Sequence, residues 1–401
     1  MIKTISIKSF KSIENLDLEL GRLNVFVGAN GSGKSNILEG IGVLSAAADG
    51  KVNDQTLLQR GVRPGVPNLY KSAFPVADGR APSHIWFSGK TDDVHYDVSL
   101  NNPLDDPSPA WLYKHELWAD AKRKIASRGP NMNHPGNKEA GLAALKAVDL
   151  TEGDPALELL RRLQSYVIYT PTTPVLRGNA REMQPRHPLG LSGGGLPDAV
   201  DELINRVKQK KSPFKHIESV LDGVTPLIGW EKHFAVGNAS ELLLSPAAQT
   251  TAKVIAFEDR FMAKDRNVLS GYDASEGALY VLFLAVLAAH PQAPSIMAID
   301  NADHGLNPGL AKRLMAAFAQ WILADAKSER QFLITSHNPA VLDGLPLQDD
   351  RIRLFTVDRD NLGKTYARRV VVNKAMLKLA EEGWTLSRMW TNKMIGGMPD
   401  V

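Results

Sequence analysis

Gly28-Ala29-Asn30-Gly31-Ser32-Gly33-Lys34-Ser35 fits the pattern G-x-x-x-x-G-K-[ST], and its flanks leave few architectures open. The apolar run Leu23-Asn24-Val25-Phe26-Val27 precedes it, and the helix-like stretch Asn36-Ile37-Leu38-Glu39-Gly40-Ile41-Gly42-Val43-Leu44 follows. Strand, glycine loop, helix is the setting in which such a loop cradles phosphates. The glycines let successive N–H groups converge on phosphate oxygens, Lys34 adds a point charge for the terminal phosphates, and Ser35 offers a hydroxyl to Mg²⁺. The start of the helix adds the positive end of its dipole. The alternative, a glycine-rich turn without a ligand, leaves these flanks unexplained. The expected ligand is a nucleoside triphosphate.

A chain of 401 residues, 43% hydrophobic, can bury a large core and hold two or three domains. The formal charge of +3 implies no global affinity for polyanions. The absence of cysteine excludes thiolate zinc sites, cysteine-ligated iron–sulfur clusters, disulfides and a cysteine nucleophile. Met1-Ile2-Lys3-Thr4-Ile5-Ser6-Ile7 alternates like a strand and lacks the apolar block of a signal peptide. No apolar run approaches the roughly 18 residues that cross a bilayer, so no membrane partner is expected. Without disulfides, and with an intracellular ligand implied, the expected location is the cytoplasm.

Strands are predicted at Thr4–Ile7, Leu16–Leu20, Leu23–Val27, Ile85–Phe87, Val94–Leu100 and Tyr166–Tyr169, with helices at Lys138–Val148, Ala156–Tyr166 and over 196–223. The last has a basic centre, Arg206-Val207-Lys208-Gln209-Lys210-Lys211, and an interruption at Pro213. Regular patterning returns from about residue 251.

In that region Ser295-Ile296-Met297-Ala298-Ile299-Asp300 is an apolar strand ending in an acid, the place where a phosphate-binding sheet keeps a carboxylate for Mg²⁺. Gln331-Phe332-Leu333-Ile334-Thr335 is another such strand, followed by Ser336-His337-Asn338-Pro339, and a histidine there can reach a terminal phosphate. Between loop and acid, Asp273-Ala274-Ser275-Glu276-Gly277 opens the apolar helix Ala278–Ala289. A serine and a glycine at a helix start make an anion-binding end or an ordinary cap.

These motifs together resemble the ATP-binding-cassette superfamily, in the branch holding RecF, the SMC-type heads and OLD-type proteins. The opening Ile5-Ser6-Ile7-Lys8-Ser9-Phe10-Lys11-Ser12-Ile13 and the run Val27 to Asn36 carry the likeness, which covers roughly residues 1–48 and 251–345. The resemblance implies an α/β, P-loop NTPase head with an inserted α/β or helical region. Residues 1–48 plus 251–401 would form a split ATPase domain, with 49–250 partly completing the lobe and partly helical. It implies ATP and Mg²⁺ as ligands, with Asn30, Gly31, Ser32, Gly33, Lys34, Ser35 and Asn36 as the Walker A contacts. Asp300 would be the Walker B acid, holding Mg²⁺ with Ser35, and His337 the switch histidine. Ser275-Glu276-Gly277 would be the signature motif, reaching a nucleotide held by a second subunit, and Asn307-Pro308 lies near the D-loop position.

Two departures matter. The position after the Walker B acid is usually glutamate, whereas here Asn301 cannot accept a proton. Either turnover is slow and ATP acts as a clamp, or Asp303 or His304 serves instead. The segment between the lobes lacks sustained heptads, which removes the long coiled coil of the SMC-type proteins. Leu191-Ser192-Gly193-Gly194-Gly195 imitates a transporter signature but is expected to be a loop, because no helix carries it into the Asp300 strand. Asp358-Arg359-Asp360 has the look of a Toprim metal pair, yet Asp360-Asn361-Leu362-Gly363 is turn chemistry and the stretch after His337 is short for that domain. Lys122-Arg123-Lys124 and Lys208–Lys215 are basic, which leaves nucleic acid open as a partner, although charge runs usually form solvated faces. Trp384 and Trp390 belong either to a docking surface or to the core. No metal cluster is legible beyond Ser35 and Asp300.

The expected function is a dimeric switch: two subunits sandwich two ATP molecules and control a separate effector, of nuclease type, in bacterial anti-phage defence. That role rests on family analogy. The alternatives are a RecF-like DNA-repair ATPase and, disfavoured by the weak signature match, a transporter subunit.

Overall fold

Along Leu23-Asn24-Val25-Phe26-Val27 the side chains alternate between two buried surfaces, and this alternation sets the layering of the molecule. In the computed structural model, which describes residues 1–74, 83–129, 137–209, 214–242, 244, 251–326 and 328–396, Leu23, Val25 and Val27 join one hydrophobic core and Phe26 the other. The same division recurs along the neighbouring strands: Met297 and Ile299 face the first core, Ile296 and Ala298 the second.

The sheet between these cores has the order β15-β14-β3-β13-β12-β8. Its strands are β3 (Leu23–Val27), β8 (Val167–Tyr169), β12 (Ile296–Ile299), β13 (Gln331–Ser336), β14 (Ile352–Arg359) and the antiparallel edge strand β15 (Thr365–Val370). The others run parallel, with Ile299 beside both Ile334 and Tyr169, and Val27 beside Ser336 and Thr356. Parallel strands place their carboxyl ends, and hence any ligand crevice, on one edge.

A second, antiparallel sheet has the order β2-β1-β4-β5-β6-β7, formed by β1 (Thr4–Phe10), β2 (Ile13–Glu19), β4 (Ile85–Lys90), β5 (Val94–Asn101), β6 (Leu112–Asp120) and β7 (Lys124–Arg128). The helix Lys34–Ala48 belongs to the core on this side. A third sheet, β11-β10-β9, joins β9 (Glu231–Asn238), β10 (Lys253–Asp259) and β11 (Val268–Ser270). Residues 49–250 thus contribute strands to all three sheets. The helix Glu276–Ala289 lies in the opposite core and is buried on every side from Gly277 to Ala289. A helix apolar all round needs such a position. Among the described residues, no helix is long and apolar enough to cross a membrane.

The expected helix over Lys138–Val148 is shorter, Leu142–Lys146 with a 3₁₀ turn Ala147–Asp149. Its start is set by a carboxylate from another element: Glu116 on β6, fully buried, accepts the N–H groups of Leu142 at 2.7 Å and Ala143 at 3.0 Å. Strand β6 was not legible because Lys114, His115 and Glu116 interrupt its alternation, and β7 is too short, with charges at both ends, to show one. The helical stretch over 196–223 resolves into Leu196–Lys208 and Lys215–Asp222. Pro213, the expected interruption, and part of the basic run Lys208–Lys215 lie outside the described residues.

Candidate functional site

The glycine loop leaves β3 at Val27 and turns through left-handed backbone at Gly31 (φ 77°) and Gly33 (φ 107°). Glycine adopts these angles without a Cβ penalty. Gly28 and Gly33 also press against the β14–β15 hairpin: a Cβ would sit 2.2 Å from the Val357 carbonyl oxygen at the first and 2.1 Å from Thr365 Oγ1 at the second. Thr365 Oγ1 donates to the Ser32 carbonyl at 2.8 Å and lies 2.7 Å from Ser12 Oγ, which accepts the Asn36 amide at 2.7 Å. Asn36, expected among the nucleotide contacts, therefore directs its amide into this relay. Asn30 and Gly31 are exposed at the loop tip, and Ser32 Oγ is buried without a partner among the described residues.

Lys34 is buried and curls back on its own loop, donating at 2.8 Å to the carbonyls of both Gly28 and Ala29. Burial lowers its pKa to about 8, against the opposing pull of Asp300 and Asp303. The next residue, Ser35, brings its hydroxyl 3.0 Å from Asp300 Oδ2 and 3.4 Å from Oδ1.

Asp300 follows β12 directly. Its backbone N–H donates to the Tyr169 carbonyl at 2.9 Å, and its Oδ1 accepts the hydroxyl of Thr335. The Asn301 N–H donates to the same Thr335 Oγ1 at 2.8 Å, with Asn301 in left-handed backbone (φ 55°), a conformation asparagine tolerates. Thr335 thus ties the acid and its successor to β13; its only sequence signal was a hydroxyl ending an apolar strand. Hydroxyl and carboxylate oxygens are the donors a hard cation takes, and a buried, unpartnered hydroxyl at Ser32 in the same glycine loop suits a phosphate, so the residues fit Mg²⁺ and a triphosphate.

The two residues held in reserve as bases are engaged elsewhere. Asp303 accepts the backbone N–H groups of Asn338 at 2.9 Å and His337 at 3.3 Å. His304 Nδ1 lies 3.5 Å from Glu276 Oε1 and 3.3 Å from the Tyr280 hydroxyl. His337 is exposed at the end of β13, and partial desolvation followed by the Lys34 charge lowers its pKa.

Ser275 caps the helix Glu276–Ala289 without a side-chain hydrogen bond to the helix, and the indole N–H of Trp230 donates to its hydroxyl at 3.4 Å. Glu276 accepts the Thr173 hydroxyl. Gly277 packs so that a Cβ would lie 2.8 Å from Leu310 Cδ2. Asn307 caps the helix Pro308–Ala324 through the Leu310 N–H at 2.9 Å. Among the described residues, no hydrogen bond or ion pair joins Ser275, Glu276 or Gly277 to the loop from Gly28 to Asn36.

Ser192–Gly195 is a loop, and a carboxylate already occupies it: Glu182 Oε2 accepts the N–H groups of Ser192 and Gly194, each at 3.0 Å. Asp360 caps its own turn, accepting the N–H groups of Leu362 and Lys364 at 2.9 Å. Arg123 pairs with Asp120 at 2.9 Å and with Asp154. Trp390 is core, 3% exposed, whereas Trp384 is half-buried with the Arg388 guanidinium 4.3 Å from its ring centre.

Residues 23–343 match the family described as "AAA domain, putative AbiEii toxin, Type IV TA system". An uncharacterized protein of Methanocaldococcus jannaschii, MJECL10, is 42% identical over 67 residues, which is 15% of this chain and 31% of that protein. The chain thus spans about a third of the length of this curated relative. Two crystal structures share the fold. An Smc head bound to the C-winged helix domain of ScpA has TM-score 0.54 and 13% identity, covering 94% of this chain and 99% of that one. An Smc head with an extended coiled coil, bound to the C-terminal domain of ScpA and derived from Pyrococcus furiosus, has TM-score 0.50 and 12% identity, covering 96% and 100%.

Proposed function

The chain belongs to this AAA-domain family and is an ABC-superfamily ATPase of the SMC/RecF-like type, and from that premise we propose that it works as a slow, ATP-clamped dimeric switch. Each ATP would lie between the Lys34 loop of one copy and Ser275, Glu276 and Gly277 of the other. One observation carries this reading. A single chain brings its glycine loop to a Ser35–Asp300 oxygen pair at 3.0 Å, while, among the described residues, the helix end at Ser275 makes no hydrogen bond or ion pair to that loop. A second copy would complete the site.

Bound Mg²⁺ would neutralise charge on the terminal phosphates. Ser35 and Asp300 would hold it, Thr335 would fix the carboxylate, Lys34 would turn from its own carbonyls to the phosphates, and the N–H groups from Gly31 to Ser35 would orient the chain of oxygens. Asn301 would orient a water without taking its proton. With Asp303 and His304 engaged elsewhere, slow turnover is the better-supported branch. Residues 1–48 and 251–401 would carry this chemistry, and 49–250 would complete the lobe and support the Ser275 side.

A switch needs an output. We assign it to a separate effector protein of nuclease type, in a cytoplasmic anti-phage role, because the chain's second candidate acid pair is accounted for as turn chemistry at Asp360. The family's description, which names a toxin system, agrees with control of a harmful activity. The RecF-like rival requires a basic groove, and the Arg123 charge is already paired. The test is affinity capture of the native chain with and without a non-hydrolysable ATP analogue. A co-purifying effector whose retention depends on nucleotide is expected, and the purified chain alone should leave DNA and RNA intact with Mg²⁺ and ATP. Cleavage by the isolated chain, lost on Asp358→Ala, would overturn the reading.

A further inference from the structure

Three residues far apart in the sequence meet at the end of the helix Glu276–Ala289. His290 is its C-cap and fully buried, Glu202 lies on the helix Leu196–Lys208, and His187 precedes Pro188 in the loop before that helix. One ligand atom from each lies within 4.8 Å of the others. His290 Nε2 is 3.1 Å from Glu202 Oε2, and His187 Nε2 is 3.7 Å from the same oxygen. Gln292 Oε1 accepts a hydrogen bond from His187 Nε2 at the rim, so an ion would have to displace that proton.

The geometry points to a binding site for a first-row transition-metal ion of the zinc class, held by His187, Glu202 and His290. Bonds of about 2.0–2.2 Å in a tetrahedron require donors about 3.3–3.5 Å apart, and the two measured separations bracket that spacing. A hydrogen bond explains the closer contact equally well, but 3.7 Å is too long for one. Two imidazoles and one carboxylate on three separate segments make a donor set suited to zinc. His187 and Glu202 are half-exposed, so an ion has a route in, and the fourth position falls to water. Coordination through His290 Nε2 moves its proton to Nδ1, which breaks the 3.2 Å hydrogen bond from the Gln292 N–H. The nearby Arg206 charge also opposes the ion. Once bound, the ion ties the loop at His187 and the helix of Glu202 to the helix that runs from Ser275 toward Asp300. This assignment is independent of the switch reading.

The test uses the full chain stripped of metal and saturated with Mg²⁺ and ATP, titrated with Zn²⁺ against a chromophoric chelator. One equivalent is expected, with affinity falling at least about tenfold in His187→Ala and in Glu202→Gln. Co²⁺ in place of Zn²⁺ should give the strong visible bands of a four- or five-coordinate ion, and His187→Ala should remove them. His187 is half-exposed, so that variant should keep the far-ultraviolet circular dichroism of the wild type. Absence of stoichiometric Zn²⁺ binding, or binding unchanged in His187→Ala, would overturn the assignment.

Discussion

Ser35 Oγ lies 3.0 Å from Asp300 Oδ2, although 265 positions separate the two residues. The pairing follows from the parallel sheet: β13 lies between β3 and β12, so the loop after one strand and the acid after the other emerge on the same edge. Thr335, on that intervening strand, holds the carboxylate in place.

Lys34→Ala should weaken ATP binding by at least about 2 kcal/mol, roughly thirtyfold, because it removes the cation at the phosphates. Calorimetric titration with ATP and Mg²⁺ measures it. Undiminished affinity would remove Lys34 from the site.

ATP affinity should fall as pH rises through about 8. Burial puts the Lys34 pKa there, below its usual 10.5. Between those values the free native site has lost a proton that the unfolded chain retains. The nucleotide-free protein therefore gains stability from this group as pH rises across that window. A bound polyphosphate restores the proton, so binding takes one up and weakens by up to about tenfold per pH unit above the lower value. Titrations in buffers of differing ionisation enthalpy should show this uptake, and its absence would place Lys34 away from the phosphates.

Ser275→Arg should leave binding of ATP to the monomer intact and block ATP-dependent dimerisation. The long cation would fill the helix end that is proposed to face the other copy's nucleotide. Light scattering with a non-hydrolysable analogue decides it, and a persistent nucleotide-dependent dimer would take Ser275 out of the composite site.

Wild-type turnover should be slow, and Asn301→Glu should raise it, by up to about a hundredfold if a general base is what is lacking. The left-handed backbone at position 301 (φ 55°) adds a cost of about 1 kcal/mol for glutamate, so the faster variant should also melt somewhat earlier. A fast wild type slowed by this change would show that Asn301 is no defective base and redirect attention to Asp303 and His304.

The local elements that carry the candidate residues were readable in order along the chain because each is set by near neighbours. A glycine loop between strand and helix, an acid ending an apolar strand, and a serine starting an apolar helix each carry their physics within about ten residues. Thr335, Thr365, Ser12 and Trp230 were not readable, since each acts through a partner that only the packed sheets bring near. Glu116 is unreadable for the same reason: a carboxylate within a strand is explained only by the helix start it caps.

Residue type and spacing therefore decide on their own that this chain sets a glycine loop between a strand and a helix, ends an apolar strand in Asp300 and carries asparagine at 301. Folding decides what those groups touch. It closes Asp300 on Ser35, turns Asn36 into the Ser12–Thr365 relay, commits Asp303 and His304 to backbone and side-chain partners, and gathers His187, Glu202 and His290 from three segments. The physical reason is range: backbone conformation and strand or helix periodicity are set by near neighbours, whereas hydrogen bonds and ligand spheres form between side chains whose separation only tertiary packing determines.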